Sequence, residues 1–125
     1  MDINQRLETV LAVYQFLLDK SKWAQGCRFK DMLGRPILML PSNGETPANA
    51  TQFCALGAEN YCFNAIGDSR EKQFVRDFGS ANNGQNIIVV NDRGGHTKLM
   101  NCLDNTIRYL TAIKKGESYE CDTLN

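Results

Sequence analysis

Ile87-Ile88-Val89-Val90-Asn91-Asp92-Arg93-Gly94-Gly95-His96-Thr97 is the stretch whose reading decides the fold. Four β-branched residues in a row are too few for a helix of their own and read as a short buried strand. The polar, glycine-containing segment that follows reads as a tight turn. Thr97 is then placed to cap a last helix with Leu99, Cys102, Leu103, Thr106, Leu110 and Ile113 along one side. Lys114-Lys115-Gly116 supplies a basic last turn and a glycine stop. A strand feeding a helix through such a turn requires a sheet, so the chain is expected to be α+β.

The sequence upstream supplies the partners. Leu7, Val10, Leu11, Tyr14, Leu17 and Leu18 recur at helical spacing behind Asp2, which predicts an amphipathic, N-capped helix over residues 3–20. Cys27-Arg28-Phe29-Lys30 and Arg35-Pro36-Ile37-Leu38-Met39-Leu40 flank the turn-like Asp31-Met32-Leu33-Gly34 and predict a β-hairpin. Its second strand is expected to lie at an edge or to start at Pro36, because proline cannot donate to a ladder. Residues 48–66 are apolar nearly all round and predict a buried helix. Gly57 within it would cost about 1 kcal/mol against Ala in a helix interior, so close approach of another backbone is expected there. Asp68 with Glu71 opens a third helix, expected to end at Gly79. The expected architecture is about four helices around a small sheet made of the hairpin and the Ile87 strand. Residues 1–116 form the single domain and residues 117–125 a polar, frayed tail.

Composition limits the function classes. With 125 residues, 14 Lys+Arg and 14 Asp+Glu, the chain has no net charge with which to bind nucleic acid in bulk. No apolar run is long enough to span a bilayer, and the polar first residues do not read as a secretory signal, so a cytoplasmic protein is expected. Cys27, Cys54, Cys62, Cys102 and Cys121 form neither a disulfide framework nor zinc-ligand pairs. Cys54, Cys62 and Cys102 read as small buried hydrophobes. No cofactor or metal is expected. Asp31, Glu45, Glu59, Asp68, Glu71, Asp77 and Asp104 read as turn, cap or solvated-face positions rather than as acid/base pairs.

Chemistry concentrates in two places. Asn91, Asp92, Arg93, His96 and Thr97 gather donors and acceptors where a strand ends and a helix begins, a junction able to hold a polar ligand or, equally, to brace itself. Trp23 and Gln25 are a second candidate. Trp23 reads more readily as a core plug than as a ligand platform. Cys54 with His96 and Asp92 has the residue types of a thiol nucleophile, its base and an orienting group, but nothing in the local sequence joins them.

Taken together, Trp23-Ala24-Gln25-Gly26, then Phe53-Cys54-Ala55-Leu56-Gly57-Ala58, then Asn91-Asp92-Arg93-Gly94-Gly95-His96-Thr97 resemble a family of small bacterial, notably actinobacterial, and bacteriophage proteins classed as a domain of unknown function. Its members show W-x-Q-G, C-A-L-G-A and W-N-D-x-x-G-R-T motifs. The resemblance implies Trp23, Gln25, Gly26, Cys54, Gly57, Asn91, Asp92, Gly95 and Thr97 as the motif positions. The chain departs from the pattern at Val90, where the family tends to have Trp, and at His96, where it tends to have Arg. A histidine that the family does not require weakens the thiol-catalysis reading. The resemblance brings no activity. It implies a small cytosolic protein that travels on mobile or phage genomes, hence an accessory or anti-defence factor.

The expectation is therefore a non-enzymatic binding protein for a host protein or a small polar, nucleotide-like ligand, with Trp23, Gln25, Asn91, Asp92, Arg93, His96 and Thr97 at the site. The alternative is a small hydrolase or transferase using Cys54 with Asp92 or His96. A homodimer is kept among the partners, because one copy could leave the apolar middle helix only partly covered.

Overall fold

The computed structural model describes residues 1–121. It is α+β: a two-stranded antiparallel sheet set against four helices of more than two turns. Helix α1 (Ile3–Leu17) opens on Asp2, which accepts from the Gln5 N–H while Gln5 reaches back to the Asp2 N–H, a reciprocal cap. Strands β1 (Phe29–Lys30) and β2 (Gln52–Phe53) pair Phe29 with Phe53 and Lys30 with Gln52. Helix α2 (Ala55–Phe63) ends at Asn64 in a left-handed cap. Helix α3 (Ser69–Ala81) starts at Asp68, whose carboxylate accepts from the Glu71 N–H. A single turn, α4 (Ile87–Val89), leads through a π-helical turn (Val90–Gly94) into α5 (Gly95–Lys115), which stops at Gly116 with φ +71°.

Helix α1 lies between α5 and α2, and α3 packs on α5. The core between them holds Val10, Val13, Leu17, Phe74, Phe78, Leu99, Leu103 and Leu110. Arg6 clamps α1 to α3 through both oxygens of the buried Asp77, at 2.7 and 3.1 Å. Cys102 is wholly buried in this core, Cys54 and Cys62 are partly buried, and no two cysteines are joined.

The Ile87 run is the main correction. It is helical, not a strand. Ile87 and Val90 are 1% and 3% exposed, whereas Ile88 and Val89 are 51% and 49% exposed, a spacing of three that a helix produces and a strand cannot. Asn86 nucleates the turn by accepting from the N–H groups of Ile88 and Val89. The sheet also has no edge to offer: a Trp23 bridge occupies the far side of Phe53, and a Pro36 bridge the far side of Lys30.

Further boundaries differ. Helix α1 stops at Leu17 rather than at residue 20, because Asp19 caps a separate 3-10 turn, Lys20–Lys22, and α2 stops at Phe63 rather than at residue 66. The hairpin's second arm makes only the Lys30–Pro36 bridge and the Ile37 N–H to Phe29 oxygen bond, and the true partner of β1 is Gln52–Phe53, expected to be helical. Helix α2 therefore begins one residue after Cys54, which caps it. Gly79 lies inside α3, and Thr97 lies inside α5 rather than capping it. The start of the tail is held down: the Tyr119 hydroxyl donates to the Ala81 carbonyl and its ring packs on Tyr109. The rest of the expected tail, residues 122–125, lies outside the described residues.

Candidate functional site

Three segments far apart in sequence meet at Asn91. Its Oδ1 accepts from the Trp23 indole N–H and from the Ala55 N–H, both at 3.0 Å. Its Nδ2 donates to the Ala24 carbonyl at 2.9 Å and to Asp92 Oδ1 at 3.0 Å. The amide is fully used and almost fully buried, so Asn91 is a cross-brace. Asp92 extends the brace, accepting from the Gly26 N–H at 2.9 Å, while Gln25 Nε2 donates to the Asp92 carbonyl at 3.2 Å. The π-helical turn is what allows this. Its wider winding puts consecutive residues, Asn91 and Asp92, against the same neighbouring segment. Gly95 at φ +86° then redirects the chain into α5, a conformation that favours glycine.

Gly57 fulfils its expectation. A Cβ there would stand 2.1 Å from the Arg28 carbonyl oxygen, so the backbone just before β1 packs directly on the α2 backbone. The same carbonyl accepts the Cys54 N–H at 3.1 Å.

A cavity of about 170 Å³ opens beside this brace, bounded by Gly26, Cys27, Arg28, Cys54, Asn91 and Asp92 on one part of its wall and by Ala55, Leu56, Ile87 and Ile88 on the other. Cys54 Sγ accepts from the Gly57 N–H at 3.3 Å. Burial pushes the Cys54 thiol up, against the pull of the Gly57 and Leu56 amides and of Arg28. Burial likewise raises the Cys27 thiol.

The other expected site residues are placed as follows. The Trp23 ring packs edge-on against His96, with centroids 5.3 Å apart, and its N–H is consumed by Asn91, the arrangement of a plug. His96 Nε2 lies 2.7 Å from the Leu17 carbonyl, which can only accept, so Nε2 carries the proton. Neither residue lines the cavity. Arg93 is exposed and lies along a separate groove of about 250 Å³ with Gln85, Asn86 and Lys98. Thr97 is exposed on α5. Of the expected set, Asn91 and Asp92 share the cavity wall with Cys54; Trp23 and Gln25 support it from behind.

The carboxylates hold a second correction. Glu59, Glu71 and Asp77 are buried, not solvated or at mere turn positions. Arg28 Nη1 donates to Glu71 Oε1 at 2.5 Å and to Asn60 Oδ1 at 2.6 Å, and Asn60 Nδ2 donates to both Glu71 and Glu59. Burial alone would raise Glu71, but hydrogen bonds from Asn60 and Arg28 overcome it and bring its pKa down. Glu59 lacks such help. Burial, with Asp68 and Glu71 nearby, pushes it up to about 7, and its Oε2 has no hydrogen-bond partner. The sequence held a signal for this pair: Glu59-Asn60 interrupts an otherwise apolar helix, where a buried polar group must find a partner.

Among the described residues, no group of three or more His, Cys, Asp or Glu is placed to hold a metal, and no helix is long and apolar enough to cross a membrane. Set against family models, curated proteins and solved structures, the chain finds no match.

Proposed function

We propose that this chain is a non-enzymatic binding protein that takes a small polar ligand into the cavity between Gly26, Cys54 and Asp92. The observation that supports it most is convergence: the three segments singled out in the sequence, though separated by dozens of residues, border one concavity. A ligand suited to it offers an N–H or O–H donor to Asp92 and an apolar face to Leu56, Ile87 and Ile88. An amide, an amine or a nucleobase edge has that chemistry. A bare phosphate against Asp92 does not. The bacteriophage and anti-defence setting rests on the family resemblance alone, as does a host protein as an alternative partner.

Thermal denaturation across a panel of nucleosides, nucleotides and amino-acid derivatives tests the reading. A ligand at 100 times its Kd adds about 2.7 kcal/mol, roughly 8 °C or more for a domain of this size. Ile88→Trp, at a half-exposed position on the cavity wall, is expected to keep the unliganded Tm and abolish the shift. A panel with no shifts refutes the proposal.

A second reading, a small hydrolase or transferase, is favoured by Cys54 and Asp92 sharing the cavity wall. It requires a thiolate. The upward-shifted thiol of the partly buried Cys54 and the engagement of His96 with Leu17 weigh against it.

A further inference from the structure

Arg93 and Lys98 are two uncompensated cations on the wall of one groove, the concavity of about 250 Å³ that they share with Gln85, Asn86, Val89 and Gly94. Arg6, Arg28, Arg35 and Arg108 are each paired with a carboxylate. Arg93 and Lys98 make no ion pair or side-chain hydrogen bond among the described residues. The local backbone sets Lys98 in place. Its stem crosses Gly94, where a Cβ would stand 2.8 Å from Lys98 Cδ and 3.3 Å from its Cγ, so the apolar part is covered and the ammonium is carried to the groove. Asn86 adds a donor. Its Oδ1 is spent on the Ile88 and Val89 N–H groups, which leaves Nδ2, an end that can only donate. The wall therefore holds two positive charges, amide donors and no carboxylate. Asp92, adjacent to Arg93 in the chain, does not supply one: it lines the separate cavity and accepts from the Gly26 N–H. In a chain with no net charge this is a local concentration of positive potential.

We infer that this groove binds a small phosphate monoester, with Arg93 and Lys98 on the phosphoryl oxygens, Asn86 donating beside them and the half-exposed Val89 against the carbon skeleton. A dianionic phosphoryl group matches two cations in charge, and its oxygens, which only accept, match a wall of donors. The chemistry is the reverse of the cavity's, where Asp92 turns a phosphate away. The two sites are distinct, and this inference does not depend on the cavity having a ligand. A nucleic-acid strand is a poorer fit, because two cations on a neutral chain release few counterions.

Ribose 5-phosphate titrated into the full chain at low ionic strength, followed by calorimetry and phosphorus NMR, tests the assignment. Binding is expected to saturate with a Kd of about 1 mM or tighter, to exceed that of inorganic phosphate, which has no skeleton for Val89, and to weaken as salt screens the open groove. Arg93→Gln and Lys98→Met are each expected to weaken it at least about tenfold, worth about 1.4 kcal/mol, with the unliganded Tm unchanged. Methionine keeps an apolar stem over Gly94, so a loss there reads the charge rather than the packing, and Lys98→Arg is expected to retain binding. Ile88→Trp, on the cavity wall, should leave it untouched. Absence of saturable binding up to about 10 mM overturns the inference, as does binding that survives Arg93→Gln/Lys98→Met together. Loss on Ile88→Trp would give the sugar phosphate to the cavity, displacement by acetate as readily as by phosphate would leave a general anion surface, and inorganic phosphate binding as tightly would remove the monoester; each overturns it. So does an oligonucleotide that binds through Arg93 and Lys98 where ribose 5-phosphate does not.

Discussion

Gly57 and Gly79 both sit within helices, yet alanine at each is expected to act with opposite sign. At Gly57 the added Cβ would lie 2.1 Å from the Arg28 carbonyl oxygen, a backbone atom that cannot rotate away. Ordinary contact begins at 3.4 Å, so the backbone at Arg28 and α2 must part by more than about 1 Å, an overpacking that costs about 1–3 kcal/mol. That movement also strains or breaks the 3.1 Å bond from the Cys54 N–H to the same oxygen. Losing a buried partner costs about 1–3 kcal/mol. The better helix propensity of alanine returns only about 1 kcal/mol. Gly57→Ala is thus expected to destabilise by about 1–5 kcal/mol, against the roughly 5–15 kcal/mol that holds a domain folded. At Gly79 the nearest atom to an added Cβ is the Gln85 oxygen at 3.9 Å, ordinary contact. Gly79→Ala should therefore stabilise by about 0.5–1 kcal/mol. Urea denaturation monitored by circular dichroism measures both from the shift in midpoint at constant slope. A Gly57→Ala variant within about 0.5 kcal/mol of wild type would refute the close-approach reasoning. Equal losses at both glycines would refute it too, by pointing to a general intolerance of alanine.

The remaining predictions concern the brace, the buried carboxylate and the thiol. Asn91→Ala leaves the Trp23 N–H, the Ala55 N–H and the Ala24 carbonyl without their partner, and is expected to cost on the order of 3–5 kcal/mol. Because Trp23 is the single tryptophan, its emission should report the loss directly; unchanged emission and stability would count against the brace. Glu59 binds its proton more tightly folded, with a pKa of about 7, than unfolded, with an ordinary value of 4.5. Stability is therefore greatest below pH 4.5 as far as this group is concerned, falls as pH rises through the window, and levels off above about 7. Against Glu59→Gln, the wild type should lose ground by a few kcal/mol between those limits, and a difference that is flat with pH would contradict the assignment. Alkylation of the folded chain at neutral pH should spare Cys54 and Cys102, whose thiols burial holds up. Selective modification of Cys54 would instead revive the thiol-enzyme reading.

Local chemistry made part of the fold legible. The N-cap at Asp2, the Asp68 cap, the Lys114-Lys115-Gly116 stop and the need for a neighbour at Gly57 all depend on a few adjacent residues and stand as the sequence implies. The Ile87 run was misleading because four β-branched residues favour a strand only where a strand can pair. Both sheet edges are already bridged, and Asn86 offers a helical start instead. The same blindness affected β2, since nothing near Gln52-Phe53 reveals that Phe29-Lys30 will lie beside it.

The candidate site divides along the same line. Its residue types and their grouping at residues 91–97 were visible in one dimension. Which of them face a cavity and which are spent on holding the fold was not, because one amide serves equally well for either task. Tertiary structure made that choice by placing Ala24, Ala55 and Trp23 around Asn91 and using all four of its hydrogen bonds. It also buried Glu59 and Glu71 together under Arg28. Periodicity and capping set the helices of this protein; long-range contact decided the sheet, the brace and the environment of every buried charge, since those energies exist only once distant segments meet.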